Sequence, residues 1–310
     1  MKKLTIAIML ICLLFAFTAC NGSDAKYTVG LIQLMEHPSL DEIRTAIEND
    51  LKAEFGDDIE ILYQNGQNDK TLMNSISQQF VGQNVDAIIA IATPAAQAAA
   101  AATEDIPVIF AAVTDPVASN LVLNIDAPES NITGTSDAID VDKIFSLAAE
   151  MYPEIKTYGF IYNTSEDNSL SVIADAKAYL DAKNIKYIES VVTNVGEVSQ
   201  AAQALVGKCD AIFSPIDNTV ASGMRTLADI AIEAKLPVFV SADSMVADGG
   251  LATVGVNYTQ LGKQTAAMTI KVLNGTAISE IPVEVLTECA VTVNEDTAKA
   301  IGADVSKYLK

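Results

Sequence analysis

A duplicated segment constrains the fold of this chain more than any other feature. Residues 86–116 begin with Asp-Ala-Ile-Ile, continue through an alanine-rich stretch, and end in Ile-Pro-Val-Ile-Phe and a Thr-Asp-Pro turn. Residues 210–245 repeat this order with Asp-Ala-Ile-Phe, a helix-length stretch and Leu-Pro-Val-Phe-Val. Short runs rich in Ile and Val without polar alternation predict strands buried on both faces, as in a parallel sheet covered by helices. Each copy therefore predicts a β-α-β unit.

The duplication extends upstream and predicts two similar lobes in series. The strand-like run Lys26–Ile32 corresponds to Tyr158–Tyr162, and a polar loop follows each. A chain of 310 residues also suits two domains of about 100 to 150 residues better than one core. We predict an α/β fold of two doubly wound parallel-sheet lobes joined by a three-segment hinge. The first lobe would comprise residues 27–133 and 257–284 and the second residues 134–256 and 285–310, with crossings near 131–137, 254–258 and 283–290.

This architecture predicts where a ligand would bind. In open parallel sheets, ligands bind beyond the carboxyl ends of the strands. Two lobes that face each other would bring both sets of strand-end loops around one cleft. Site residues are therefore expected on the loops that follow the predicted strands.

The first twenty residues have the pattern of a secretory signal. Lys2 and Lys3 precede an apolar run from Leu4 to Phe17, and Thr-Ala-Cys follows. A basic start, an apolar run of roughly 7 to 15 residues and small residues before a cleavage point are typical of a signal peptide. The position of Cys20 resembles a bacterial lipobox. We predict that residues 1–19 are removed, that Cys20 is acylated and that residues 20–26 form a polar tether; the alternative is an ordinary secretory signal with an incidental cysteine.

The acidity of the chain argues against nucleic-acid binding. Removing residues 1–19 removes two lysines and no acid, which leaves 17 basic and 40 acidic residues, a net charge of −23. Affinity for phosphate backbones comes from clustered Lys and Arg, and the only two arginines, Arg44 and Arg225, lie in predicted helices. Without a guanidinium in the cleft loops, a phosphate or dicarboxylate ligand is also disfavoured. A zwitterion needs only helix N–H groups for its carboxylate and one acid for its ammonium.

The sequence lacks the usual motifs for catalysis, cofactors and metals. His37 is the only histidine, so the chain lacks the combination of residues that a nucleophilic triad or a zinc site requires. Neither G-x-x-x-x-G-K nor G-x-G-x-x-G occurs. Cys209 and Cys289 could pair, although a buried free thiol is favoured for Cys209. We therefore expect no cofactor and no metal.

Six short segments, in order along the chain, carry a resemblance to a known family. They are 36–41 (EHPSLD), 92–97 (ATPAAQ), 114–117 (TDPV), 131–134 (NITG), 162–169 (YNTSEDNS) and 215–218 (PIDN). The chain resembles the ABC-transporter substrate-binding lipoproteins of the tryptophan/tyrosine type, which have a type I periplasmic-binding-protein fold. It departs from them at Asp167, where a small residue is more usual. The resemblance implies that the protein captures a small solute, in the first place an aromatic amino acid (Trp, Phe or Tyr), and delivers it to a membrane permease and ATPase.

Two strand-end helices are predicted to hold the charged groups of a zwitterion. Thr93-Pro94 is a candidate N-cap followed by proline at the first helical position, which would leave the N–H groups of Ala95 and Ala96 free for a carboxylate. Asp217 has the matching position in the second lobe and is the predicted partner of the ammonium group. The alternative is that Asp217 only caps its helix.

Polar residues on the other strand-end loops complete the predicted site. His37 would line the cleft, the alternative being a surface loop residue, and Ser165, Asn168 and Ser169 are candidates from the polar loop that follows Tyr162. Three aromatic residues could hold an aromatic ligand unless they belong to the core: Phe110, Tyr162 and Phe213. The remaining candidate ligand-binding residues are Gln97, Thr114, Asp115, Asp137, Asn218 and Asp243.

Two other functions remain open at the level of sequence. An enzyme on the same double lobe would need a general base, which paired carboxylates such as Asp115 and Asp217 could supply. A sensor would pass its ligand signal to a membrane kinase instead of a permease. We predict a monomeric, non-catalytic substrate-binding lipoprotein on the extracytoplasmic face of the membrane.

Overall fold

The computed structural model describes residues 25–286 and 289–309. The predicted signal peptide and the predicted acylation of Cys20 lie outside the described residues. Cys209 is free and half-buried, whereas the side chain of Cys289, its predicted alternative partner, is not among the described ones. No helix in the described part of the chain combines the length and the apolar character needed to cross a membrane.

Two six-stranded sheets form the cores of the two lobes. The strands of the first sheet are β1 Tyr27–Gln33, β2 Ile59–Asn65, β3 Ala87–Ile91, β4 Val108–Ala111, β5 Ile132–Ser136 and β11 Glu284–Val285. Those of the second are β6 Thr157–Asn163, β7 Lys186–Val192, β8 Ala211–Ser214, β9 Val238–Val240, β10 Ala252–Val256 and β12 Cys289–Val293. Their spatial orders are β11-β5-β4-β3-β1-β2 and β12-β10-β9-β8-β6-β7. The same order of five strands therefore occurs twice, as the sequence duplication predicts.

The strands follow the hydrophobic pattern that predicted them. Every residue of β3 and of β4 is buried, and the two strands pair in parallel with Ile88 opposite Val108. Strands covered by helices on both faces require this continuous apolar character. The prediction of parallel sheets holds except at the edge of the second sheet, where β12 pairs antiparallel with β10.

Helices connect the strands and cover the sheets. In the first lobe they are α1 Pro38–Phe55, α2 Lys70–Gly82 and α3 Thr93–Ala102. After the first crossing come α4 Val141–Met151, α5 Asp167–Lys183, α6 Val198–Leu205, α7 Asn218–Ser222, α8 Met224–Glu233 and α9 Asp243–Ala247. The last two are α10 Tyr258–Leu273, which packs on α1 of the first lobe, and α11 Glu295–Ile301.

The chain passes between the lobes at three places. It leaves the first sheet after Ser136, returns between Val256 and Tyr258, and crosses again between Val285 and Cys289. The first crossing therefore follows β5, within the predicted range of 131–137 but three residues after the predicted lobe boundary at residue 133. This strand stays in the first lobe because it pairs with β4 and because the Thr133 hydroxyl donates to the carbonyl of Ile281 at 2.7 Å.

One predicted helix is interrupted. The pattern of residues 218–234 predicts a single helix, but the structure has α7 and α8 with Gly223 between them. A Cβ atom at this glycine would lie 3.0 Å from the Val198 side chain of α6, so the close approach of α6 favours glycine here. Glycine also weakens a helix interior. The break leaves α7 as a short element at the carboxyl end of β8.

Candidate functional site

The loops that follow the strands of both lobes surround a small, partly open cavity. Ala112 follows β4 of the first lobe, and Ile216 and Ala242 follow β8 and β9 of the second. The cavity measures about 20 Å³, and roughly 10–15 Å³ suffices for one water molecule. The lobes are therefore closer together here than they would be around an amino acid, and they must move apart to admit and to hold one. Five predicted site residues line the cavity: His37, Asp137, Asn168, Asp217 and Asn218.

His37 connects the two lobes across this cavity. It precedes α1, and its Nε2 lies 3.2 Å from Oδ1 of Asn218. The Asn218 Nδ2 group donates to Glu166, so its Oδ1 faces the imidazole and accepts the Nε2 proton. Burial lowers the pKa of His37 below its usual value of 6.5, which keeps the ring neutral at pH 7. Its Nδ1 is then an acceptor, and it is buried without a partner among the described residues.

Glu166 organises the second-lobe side of the cavity. Its carboxylate is buried and accepts from the backbone N–H groups of Asn218 and Thr219, each at 3.0 Å. It also accepts from the side chains of Asn218, Thr219 and Asn168 at 2.6, 2.8 and 3.2 Å. Five donors surround one buried charge, which would otherwise be costly to remove from water. Glu166 thereby fixes the start of α7 and the orientation of Asn218.

Asp217 is held by its own lobe on both carboxylate oxygens. Its Oδ1 caps α7 by accepting from the N–H of Val220 at 2.7 Å. Its Oδ2 accepts from the N–H of Asn163 at 2.5 Å and from the Ser169 hydroxyl at 2.7 Å. Burial and the adjacent charge of Glu166 raise the pKa of Asp217. The contacts of Asp217 are thus those of the helix-cap alternative.

Asp137 lies at the hinge, directly after β5. It is 1% exposed, its Oδ1 accepts from the Thr114 hydroxyl at 2.9 Å, and its Oδ2 accepts from the Tyr258 hydroxyl at 3.2 Å. Burial raises the pKa of Asp137 to about 6, against the opposing effect of these two hydrogen bonds. None of the residues that line the cavity is a Lys or Arg, and Asp137 has no ion-pair partner in the described part of the chain.

The predicted cap at Thr93 is wrong. The residue before α3 is Ala92, and Thr93 is the first helical residue, with its hydroxyl buried and unpartnered within the described structure. The cause is the backbone of Ala92, whose φ of 78° turns the chain one residue earlier than a threonine cap would. The N–H of Ala96 is bonded to the carbonyl of Ala92, so it is not free for a ligand as predicted.

Other predicted residues form contacts between the lobes at the rim of the cleft. The Gln97 side chain donates to Asp167 at 2.8 Å, and Asp115 accepts from the Ser171 hydroxyl at 3.1 Å. The departure from the family pattern at Asp167 therefore adds a polar contact between the lobes. Across the cleft, the hydroxyl groups of Ser39 and Ser244 are hydrogen-bonded to each other.

The remaining predicted residues lie outside the cavity lining. Ser165 is exposed, whereas Asp243, at the start of α9, binds the N–H of Ser244. Pro94 and Ala95 lie in the first turn of α3. The three proposed aromatic contacts are also elsewhere: Phe110 and Phe213 are fully buried in the cores and the Tyr162 hydroxyl donates to Glu189.

The sequence-based interpretation missed every apolar residue of the lining, together with Ser39 and Tyr258. Tyr258 follows a hinge crossing, not a strand end, and apolar residues on strand-end loops look like core. The unpredicted lining residues are Ser39, Leu40, Ala112, Ile216, Ala221, Ala242, Met245 and Tyr258. Among the described residues, no group of His, Cys, Asp and Glu is placed to hold a metal ion.

Comparisons with known proteins agree with two lobes around a cleft. A family model described as ABC transporter substrate binding protein matches residues 28–309. The chain belongs to this family. Substrate-binding proteins of ABC transporters work on the extracytoplasmic side of the membrane. The chain is also 40% identical over 298 residues to a protein named tyrosine-binding protein from Clostridioides difficile, covering 94% of this chain and 86% of that one.

Two solved structures bear on the lobe arrangement of this substrate-binding protein. An ABC domain from Streptococcus pneumoniae in complex with L-Trp is 36% identical and matches with a TM-score of 0.86, covering 90% of this chain and 95% of that one. A ligand-free, open substrate-binding protein with adhesive properties from Clostridium difficile is 40% identical but matches with a TM-score of 0.70, covering 92% and 98%. The lobes here are therefore arranged more as in the L-Trp complex, in agreement with the hydrogen bonds across the cleft.

Proposed function

We propose that this protein is the lipid-anchored binding component of an ABC importer and that it captures an aromatic amino acid between its lobes. The single observation that carries the proposal is the interlobe cavity that contains a carboxyl group without a cationic partner, in a chain related to a protein named for tyrosine binding. The family fixes the role as substrate binding. The amino-acid class, the anchor and the partners are the proposed part.

The chemistry of the cavity favours a ligand that carries a cationic donor, such as the ammonium group of an amino acid. Asp137 offers a negative charge without a protein cation, and His37 Nδ1 and Asn168 Oδ1 are buried acceptors with no partner among the described residues. Buried polar groups are normally paired, so such atoms mark a place where a ligand completes the hydrogen bonding. The apolar part of the lining, which includes Leu40, Ile216 and Met245, would contact the ligand side chain.

Binding between two lobes also explains how the ligand would be signalled to the transporter. A solute that touches both lobes binds the closed form more tightly than the open form, and only such differential affinity shifts the equilibrium. We propose that the closed protein, acting as a monomer tethered through Cys20, delivers the solute to a permease and its ATPase. The sequence pattern at residues 1–20 supports the anchor.

The contacts of Asp115 and Asp217 argue against the alternative in which these two carboxylates form a catalytic pair. Asp115 contacts Ser171 at the rim, whereas Asp217 is buried and accepts three hydrogen bonds from its own lobe. A general base must reach the proton that it removes, and Asp115 does not line the cavity that Asp217 lines, so the two carboxylates do not share one site. We therefore propose a binding protein without catalysis.

Isothermal titration calorimetry of the mature protein tests the proposed function. L-Tyrosine, L-tryptophan and L-phenylalanine are titrated in turn, with L-leucine and L-arginine as amino acids of other classes and myo-inositol as a sugar-like control. We expect saturable 1:1 binding of at least one aromatic amino acid and no binding of myo-inositol. Absence of binding by all three aromatic amino acids, or binding of myo-inositol instead, would contradict the proposal.

A further inference from the structure

The cavity has three buried carboxyl groups in or next to its wall, and they differ in how many donors they already accept. Glu166 accepts from five donors and Asp217 from three, including backbone N–H groups in both cases. Asp137 accepts from two side-chain hydroxyls, one on each oxygen. A carboxylate has about four lone-pair positions. The backbone of Asp137 itself also hydrogen-bonds its carboxylate, but Asp137 accepts from fewer other residues than Glu166 or Asp217 and from no backbone N–H group of another residue.

The charge balance around Asp137 points to a missing cation. Its two partners are the neutral hydroxyls of Thr114 and Tyr258, and the lining contains neither Lys nor Arg. A buried carboxylate without a cation is costly, and proteins normally pair such groups. An ammonium group supplies three donors and a positive charge, which matches a carboxylate without a cationic partner.

Asp137 lies where the segments that connect the two lobes meet, so a ligand group bound to it would contact the hinge. Asp137 is the first residue after β5, at the first crossing, and Tyr258 begins α10 immediately after the second crossing. Thr114 lies on the loop that follows β4, and its carbonyl accepts from the Ser136 hydroxyl. A ligand group bound to Asp137 would thus touch a cluster made of two hinge segments and one first-lobe loop.

We propose that Asp137 is the acceptor of the ligand's ammonium group and that it, not Asp217, determines selection for an α-amino group. This inference rests on the proposed function and assigns one role within it. Tyr258 is a positioning residue, because its hydroxyl holds Oδ2 of Asp137 from the second hinge segment. Asp217 and Glu166 instead build the second-lobe wall against which the rest of the ligand packs.

The test compares ligands with and without the amino group on matched variants. L-Tyrosine and 3-(4-hydroxyphenyl)propanoate, which lacks only the amino group, are titrated into the wild type, Asp137→Asn, Asp217→Asn and Asp140→Asn; if tryptophan or phenylalanine binds best, its own deamino analogue is used. Asp140 is exposed and caps α4, a role that Asn fills equally well, so it is the matched control. The wild type must bind first; its failure would count against the proposed function and is distinct from a failure of this assignment.

We expect the wild type and Asp140→Asn to prefer the amino acid over its deamino analogue by at least tenfold. In Asp137→Asn this preference should disappear because the amino acid binds about 10- to 100-fold more weakly, while the analogue binds as well as before or better. An unchanged preference in Asp137→Asn, or its loss in Asp217→Asn alone, would overturn the assignment.

A second measurement needs no variant and covers the case in which Asp137→Asn does not fold. Titration of the wild type near pH 6, in buffers that differ in ionisation enthalpy, counts the protons released on binding. An ammonium group next to Asp137 favours the ionised carboxylate, so the amino acid should release a substantial fraction of one proton and the deamino analogue none. Equal proton release by both ligands would contradict the proposal.

Discussion

The acidic cluster of the second lobe and the carboxyl group at the hinge differ in how completely they are paired. In the second lobe, Glu166 and Asp217 share eight donors from the protein, four of them backbone N–H groups. At the hinge, Asp137 has two hydroxyl partners and no cation. The first arrangement makes a wall whose shape is fixed before any ligand arrives. The second leaves a charge whose pairing depends on what enters the cavity.

This difference separates residues that stabilise the fold from residues available to a ligand. Buried charge that is fully hydrogen-bonded rigidifies its surroundings, whereas a partly satisfied buried group raises the free energy of the unliganded state. A proposal based on sequence position alone selects Asp217, since it mirrors Thr93 in the duplication. The hydrogen bonds select Asp137 instead.

The largest expected effect is on stability and contrasts two acid-to-amide substitutions. Glu166→Gln places an NH2 group against donors that now face an acceptor, so we expect the free energy of unfolding to fall by about 3 kcal/mol. Asp137→Asn removes a carboxylate whose pKa is raised by burial from 3.8 to about 6. At pH 7 it should therefore be at least as stable as the wild type. Urea unfolding at pH 7 measures both.

Asp167, the neighbour of Glu166, provides the control for the comparison of Glu166→Gln with Asp137→Asn. Asp167→Asn changes an exposed carboxylate whose partner is Gln97 at the rim, and exposed polar contacts contribute about 0–1 kcal/mol. A loss in Asp137→Asn as large as that in Glu166→Gln, with Asp167→Asn unchanged, would remove the proposed difference between the two regions.

A smaller effect is expected on the pH dependence of binding. Because the pKa of Asp137 is about 6, it is mostly ionised at pH 7 and mostly protonated at pH 5. Loss of the charged acceptor should weaken amino-acid binding about tenfold between these values, or about 1.4 kcal/mol. Calorimetry at pH 7, 6 and 5 measures this change, which should be absent in Asp137→Asn.

The groups around Asp137 decide whether this titration can be assigned to it. Tyr258 contacts it directly, and burial raises the pKa of that hydroxyl well above 10, so the hydroxyl stays neutral throughout. His37 and Asp217 line the same cavity, and Asp243 and Glu42 act on Tyr258. An affinity that still falls tenfold in Asp137→Asn would assign the pH dependence to one of these groups.

Asp137 also affects how stability depends on pH in the absence of ligand, and this effect has the opposite sign to its effect on binding. Its pKa is higher in the folded protein than in the unfolded chain, so the folded state binds more protons between about pH 4 and 6. The stability contributed by this group is therefore present at the acid end of that window and falls as the pH rises through it. Asp137→Asn should lack this component of the pH profile.

The fold was accessible from the sequence because its signals are local and repeated. The buried runs at Ala87–Ile91 and Val108–Ala111 and the helix Val141–Met151 follow directly from hydrophobic periodicity, and the duplication predicts the repeated strand order. The break at Gly223 was missed, because it depends on the approach of a distant helix.

The site was only partly accessible, because pairing depends on contacts between distant segments. Nothing in the alanine-rich sequence indicates the positive φ of Ala92, so the start of α3 was predicted one residue away from its position in the structure. Glu166 resembles an ordinary acid near a helix start, and its role appears only when residues 218 and 219 lie beside it. Tyr258 likewise joins the site through a hinge crossing. Sequence predicted several of the loops that surround the cleft, but it wrongly included the loop after β3 and did not show which carboxylates accept the most hydrogen bonds.

The most direct test of the account is whether ligand brings the two lobes together. Small-angle X-ray scattering is recorded for the mature protein with and without a saturating concentration of the aromatic amino acid that binds best in calorimetry, with myo-inositol as the control. We predict a smaller radius of gyration with the amino acid only, because a ligand that touches both lobes favours the closed form. An unchanged radius at a concentration that calorimetry shows to be saturating would contradict binding by closure of the cleft.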